Sequence, residues 1–229
     1  MKCSVCGAEN EDLALVCTSC KSFLQSKVDA LDLWDTLWRL VESPKGAFKR
    51  IVLSHHKNYV FLLSGLLGAS MVFGAIWYKK LGPLFGNVLE LIGAGLVAGP
   101  PLGILFVALA SLLLAAIIRL FGKKAAFRNL FAVMSYAAAP IIFSLVVILP
   151  LEVALFGLDF FGQNPSPMVL KPLVYVTLLV FDGAAILWSW ILLTVGVSAA
   201  SRLSGMKSML VTCLLLLVVG GAVLNLGSL

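Results

Sequence analysis

The chain has 229 residues, of which 61% are hydrophobic and only 12% charged, with a mean hydropathy of +1.04. Soluble domains are about half apolar and a quarter charged, so this composition excludes a soluble globular fold and points to an integral membrane protein. The net charge of +6 and pI near 9.2 fit Lys and Arg marking one flank of the membrane spans, and do not call for nucleic acid.

The opening residues, MKCSVCGAEN, lack the basic-then-apolar run and small-residue cleavage site of a secretory signal, so the N-terminus is expected to be mature and untranslocated. Cys3, Cys6, Cys17 and Cys20 form two C-x-x-C pairs. One such turn aims two sulfurs at a single ion, and two facing turns complete a tetrahedral four-cysteine site. Residues 1–28 are therefore read as a zinc ribbon holding one zinc ion. Gly7 follows the first pair, where the turn calls for positive φ, whereas Lys21 occupies the matching place after the second. A segment this short cannot build a core unaided, so metal is the expected source of its stability. The competing readings are two disulfides or a redox C-x-x-C, and the latter would need a βαβ setting that the sequence lacks. Lys2, Lys21 and Lys27 balance Glu9, Glu11 and Asp12, and Phe23 is the ribbon's one aromatic residue, which argues against nucleic acid binding. Cys213, alone in an apolar run, reads as an inert filler.

Residues 29–58 read as amphipathic linker helices. Leu31, Trp34, Leu37, Trp38 and Val41 recur at helical spacing with charged residues between them, a pattern suited to the headgroup boundary. Ser43 and Pro44 read as the N-cap and first-turn proline of a second short helix. Its Phe48, Ile51 and Val52 face one way, while Lys45, Lys49 and Arg50 can reach phosphates. Two placements stay open for these helices, lying at the interface or docking on the protein's own bundle. His55 and His56 point about 100° apart on a helix and do not naturally share a ligand.

Residues 59–229 read as a five-span bundle, with spans at 59–78, 102–118, about 130–150, about 172–197 and about 208–226. Each has roughly the 20 residues that cross the hydrocarbon core. Residues 84–101, broken by glycines and by Gly99-Pro100-Pro101, read as an outer-face helix or re-entrant piece, with Pro101 opening the next span. Arg39, Lys45, Lys49, Arg50 and Lys57 fall on one side with Arg119, Lys123, Lys124, Arg128, Arg202 and Lys207; only Lys79, Lys80 and Lys171 fall on the other. The positive-inside rule then places the N-terminus in the cytoplasm and the C-terminus outside.

Within the spans, Pro140 should kink the third helix and free the carbonyl of Tyr136. Asp182 lies about ten residues into the fourth span, ~15 Å deep and near the midplane. A charged carboxylate there is costly, so it needs a partner or a proton, and Ser111 and Ser144 are the candidate donors. It reads either as a proton- or substrate-linked site or as a neutral acid gluing helices together. Glu90, Glu152 and Asp159 are assigned to solvated outer-face surface, and Gly220-Gly221 to close helix packing. H-E-x-x-H, a Gly-rich phosphate loop and a G-x-S-x-G elbow are all absent, so the protein is expected to be non-enzymatic.

Three segments carry a family likeness: SPKGAF with Pro44 and Phe48, MSYAAAPIIFSL with Tyr136 and Pro140, and ILWSWILLTVGVSAASRLSGMKSMLV. Together with the five-span topology they resemble the Yip domain, the Ypt-interacting-protein family, over about residues 30–226. A short zinc ribbon ahead of such a domain looks like a prokaryotic arrangement, which places the chain in a plasma (inner) membrane. The resemblance implies an all-α, non-enzymatic membrane protein. Eukaryotic relatives bind small GTPases in vesicle traffic, and some bacterial relatives accompany ABC-type exporters. The expected role is a membrane scaffold or adaptor that recruits a membrane or cytoplasmic protein through the ribbon and interfacial helices; an ABC-type transporter is one candidate. The alternative is a transport or lipid-handling protein working through Asp182 and the kinked spans. The lipid bilayer is a partner in either case, and self-association is left open.

Overall fold

The computed structural model describes the chain apart from residues 1, 4, 12, 13, 15, 23, 25–29, 228 and 229, and describes side chains as far as residue 221. Among the described residues the fold is helical, and the ribbon contributes one isolated antiparallel bridge, Lys2 to Glu9.

Two short helices follow the ribbon, α1 (Leu33–Glu42) and α2 (Pro44–Leu53). Asp32 caps α1 by accepting from the Asp35 amide at 2.8 Å. Pro44 occupies the first turn of α2 after Ser43, whose side chain makes no cap bond. Of the two placements left open, α2 takes the docked one. Phe48 and Ile51 are fully buried, and Phe48 presses its ring against Gly196 on α8 (Pro172–Ser201), where a Cβ would lie 2.9 Å from it. The first helix divides its faces: Thr36 and Leu40 turn inward, while Trp34, Trp38 and Val41 remain exposed. Arg50 is drawn away from any headgroup by Asp35, 2.7 Å away, which also takes Arg39 at 2.9 Å. The Arg50 bond, ahead of Arg39, holds the Asp35 carboxyl below its usual range. Lys57 turns its ammonium onto the carbonyls of Ile51 (2.6 Å), Val52 (3.3 Å) and Ser54 (3.4 Å) at the open end of α2, and burial pulls it down to about 8.

Four units are long and apolar enough to cross a membrane: α3 (Val60–Lys79), α4 (Val88–Leu120), the stretch Phe127–Phe161 and α8. The fifth expected span lies on α9 (Gly205–Gly227), whose apolar described part, Gly205–Gly221, is shorter; the rest of that span falls outside the described side chains. The stretch Phe127–Phe161 holds α5 (Phe127–Ala137), α6 (Ala139–Phe156) and a 3-10 turn, Gly157–Phe161. The first two meet at Ala138, with Pro140 in the first turn of α6, so the interruption falls where the proline removes a backbone donor. A single turn, α7 (Pro167–Leu170), precedes α8.

The break expected at Gly99-Pro100-Pro101 does not occur. Residues 88–120 form one helix of 33 residues with both prolines inside it. At about 1.5 Å per residue it is some 50 Å long, so it tilts across the bilayer or extends beyond its hydrocarbon. Contact with α3 explains its continuity. Gly95, Gly99 and Gly103 recur every fourth residue and form a flat stripe against α3. A Cβ on Gly103 would sit 2.1 Å from the Ser64 carbonyl, and one on Gly68 would sit 2.0 Å from the Gly99 carbonyl. The backbones touch, and this small-residue seam accompanies the helix as it continues through its prolines. Close helix packing of the kind assigned to Gly220-Gly221 from sequence is found at the α3–α4 seam.

The buried apolar residues fall into two clusters. The larger lies toward the ribbon and joins α2, α5 and parts of α3, α4, α8 and α9; the smaller, with Phe73, Phe156, Phe160, Phe161 and Tyr175, lies at the opposite end. Gly103→Val should force α3 and α4 apart and cost at least about 2 kcal/mol, read as a lower thermal midpoint in detergent. Gly93→Ala, in the same helix with nothing within 4 Å, should leave the midpoint within about 0.5 kcal/mol of the unaltered protein.

Candidate functional site

The first site is the cysteine quartet. Its two knuckles fold alike: the Gly7 amide donates to the Cys3 carbonyl at 3.0 Å, and the Lys21 amide to the Cys17 carbonyl at 3.1 Å. Gly7 has φ +72° and Lys21 φ +59°, so the second turn takes the same left-handed geometry on a residue that bears a Cβ. Asn10 ties the knuckles together. Its amide donates to the Ala8 carbonyl (2.9 Å) and to Cys17 Sγ (3.4 Å), and its Oδ1 accepts from the Thr18 amide at 2.8 Å. Sequence reasoning had not singled it out, because its role depends on both turns being in place.

All four sulfurs lie within 4.8 Å of one another, and Cys3–Cys20 and Cys6–Cys17 approach to 3.6 Å. A tetrahedral ion bound at about 2.3 Å needs sulfurs roughly 3.8 Å apart, so the quartet is compatible with a metal ion. Every described cysteine is a free thiol. The Val5 amide donates to Cys3 Sγ at 3.4 Å. The Ser22 hydroxyl, followed by the amides of Cys6 and Val5, lowers the Cys3 thiol to about 6. Cys6, despite the Ala8 amide, is pushed up to about 11 by its hydrogen bonds to Cys20 and Cys17, so thiolate character is uneven across the quartet.

The second site lies inside the bundle. Ser144 on α6 donates to the Asp182 carboxylate on α8. Ser111, the other candidate donor, serves Met134 Sδ at 3.3 Å and takes no part. Tyr136 is also remote, fully buried with its hydroxyl donating to the Asn58 carbonyl at 2.7 Å. Glu152 corrects its assignment to solvated surface: it is only 3% exposed and interacts directly with Asp182. A span ending near 150 left it outside, whereas α6 continues to Phe156 and carries it back against α8. Glu90 does lie on the surface, where its carboxylate accepts the Gly86 amide at 2.8 Å beside the Asn87 cap.

Two cavities flank this pair. One, of about 560 Å³, runs between α1, α6 and α8 and is walled by Trp34, Trp38, Pro140, Phe143 and Trp188. The other, of about 500 Å³, is lined by α3, α6, α8 and the 3-10 turn, and contains Glu152 and Asp182. Ser144 and Ala185 belong to the walls of both.

Four helical units long and apolar enough to cross a bilayer define a polytopic helical membrane protein. Its family follows from the sequence match. The model of the Yip1 domain matches residues 38–226, well over half of the chain, and the protein belongs to that family. Neither a curated protein nor a solved structure matches it significantly.

Lys21→Gly should relieve the left-handed turn by about 1 kcal/mol. If the quartet holds a metal ion, binding and folding of so small a head are one equilibrium, and that ion should resist a competing chelator about five-fold better. Gly7→Ala, at the matching turn, should weaken metal retention instead, and chelator titration followed by metal analysis reads both variants.

Proposed function

We propose that this protein is a non-enzymatic, five-span scaffold of a prokaryotic plasma membrane, in which α9 supplies the last span. The N-terminus is cytoplasmic and the C-terminus lies outside. Cys3, Cys6, Cys17 and Cys20 hold one zinc ion, whose chemistry here is to knit the head together, and the head recruits a protein partner.

The observation that carries this reading is where the head sits and what it exposes. Glu11 of the ribbon pairs with Arg202, 2.6 Å away in the turn between α8 and α9, which sets the head against the end of the bundle. At the knuckles Val5 is 72% exposed and Val16 is also exposed. Trp34, Trp38 and Val41 form an exposed apolar row on one face of α1. Apolar tips held on a rigid metal-bound turn offer a docking surface at little entropic cost, and no reacting group accompanies them. The excess of Lys and Arg on this side supports the cytoplasmic orientation.

The test is co-purification from crosslinked, detergent-extracted membranes, with companions identified by mass spectrometry. The unaltered chain should carry one zinc per protein and a reproducible companion. A double change, Val5→Asp with Val16→Asp, should keep the zinc and lose the companion, and changing all four ribbon cysteines to Ser should lose both. A companion retained by the double variant, or a chain that always emerges alone, would count against the adaptor.

A further inference from the structure

The acidic cavity needs no protein partner and stands apart from the adaptor reading. Its two carboxyls lie on facing helices, Glu152 on α6 and Asp182 on α8, and act directly on one another. Ser144 donates to Asp182, but Glu152 Oε1 is fully enclosed and has no partner. Trp77, from α3, lines the same cavity with its indole Nε1 enclosed and likewise unpartnered. No described residue lining the cavity is basic. Two lysines of the same end of the bundle are engaged elsewhere. Lys80 lies over the Trp77 ring, 4.7 Å from its centroid, and Lys171 donates to the Leu155 carbonyl at 3.3 Å. An unsatisfied acceptor and an unsatisfied donor, buried in an apolar surround, carry a cost that a ligand of opposite pattern removes.

We propose that this cavity binds an organic ammonium ion carrying a hydrogen-bond acceptor. The positive nitrogen lies between Glu152 and Asp182, where its N–H groups supply the donor that Glu152 Oε1 lacks. The ligand's acceptor takes the Trp77 indole N–H. Phe73, Trp77, Phe160 and Phe161 wall the space, and aromatic faces attract cations as well as apolar groups. The Lys80 ammonium over Trp77 shows the same contact made within the chain. A bare divalent ion fits poorly and would leave most of about 500 Å³ empty. It seeks six or more oxygens and finds two carboxyls with the Ser144 hydroxyl beside them, since Ser70 is turned to the Leu66 carbonyl and Tyr78 is exposed. That volume suits a compact organic molecule.

The probe is 2-amino-1-phenylethanol, and its uncharged counterpart is 1-phenyl-1,2-ethanediol. Each is titrated at pH 7.5 into the full chain in phosphatidylcholine nanodiscs and followed by calorimetry. The amine should bind saturably and the diol at least ten-fold more weakly, a comparison that needs no altered protein. Glu152→Gln and Asp182→Asn, which keep the side-chain shape, should each weaken the amine at least ten-fold while leaving the size-exclusion profile unchanged. Equal binding of amine and diol, no saturable binding of the amine, or folded carboxamide variants that bind it normally would each overturn the proposal. Nanodiscs enriched in phosphatidylethanolamine separate the sources of such an ammonium. Competition with the probe identifies a lipid headgroup and undiminished binding a free amine, and the site stands in either case.

Discussion

The backbone contact between α3 and α4 governs the arrangement of the bundle. Gly68, Gly99 and Gly103 bring main chains so close that a single Cβ would overlap a carbonyl or an α-carbon. Within a bilayer, contact of this kind is where helix association draws its strength, because lipid tails already solvate apolar side chains. The seam also sets the rotation of α3. With Gly65, Gly68 and Ala69 turned to α4, the residues that remain on its other side include Ser70, Gly74 and Trp77, and these face α6 and α8 across the acidic cavity. Phe73 is placed by the same contact, its ring filling the space where a Cβ on Gly95 would lie. One stripe of glycines therefore holds a proline-interrupted helix together and aims the third wall of the cavity.

The cavity lies between two apolar clusters with different tasks. The ribbon-side cluster is continuous through α2, α5 and α8 and is tied by hydroxyl pairs, Ser64 with Ser135 and Thr194 with Thr212, each 2.9 Å apart. Such pairs satisfy both partners and add modest cohesion. The opposite cluster is built on largely edge-to-face rings, Phe156, Phe160, Phe161 and Tyr175, with centroids 5.1–6.2 Å apart. Aromatic packing fills the end of the bundle and leaves the acids unneutralised by any lining cation. Membrane interiors rarely tolerate carboxyls without a compensating role, and Ser144 compensates only one of the two.

Local chemistry was legible in the sequence and long-range register was not. Two C-x-x-C pairs sufficed to forecast four converging sulfurs, because each turn fixes its own geometry and one further contact brings the turns together. The helical spacing of Leu31, Trp34, Leu37, Trp38 and Val41 forecast α1 but not which of these residues would stay exposed, and Pro140 forecast the interruption near Ala138, both matters of a few neighbouring residues. Pro100 and Pro101 misled because proline's cost is local, whereas the contact that outweighs it comes from α3, some thirty residues earlier. Glu152 was missed for a related reason. Its burial follows from how far α6 continues past Pro150 and from the face α8 presents to it, and neither is written in the residues around position 152. Choosing Ser144 over Ser111 as the partner of Asp182 likewise required the rotation of α6 against α8.

The same register joins the two ends of the molecule. Ser144 is a wall of the groove beneath α1 and also the donor to Asp182, and Ala185 separates the groove from the acidic cavity. The first helix supplies Trp34, Leu37, Trp38, Leu40 and Val41 to that groove, so its position decides whether the near side of the α6–α8 seam is walled by tryptophan or open to lipid. That position is held by the Asp35–Arg50 pair and by burial of Leu40, whereas the tryptophan face itself is uncovered. An exposed ion pair contributes little, so burial of Leu40 does most to hold α1 in place. Through Ser144 and Ala185 the groove and the acid pair are neighbours, although α1 and α8 lie far apart in the sequence.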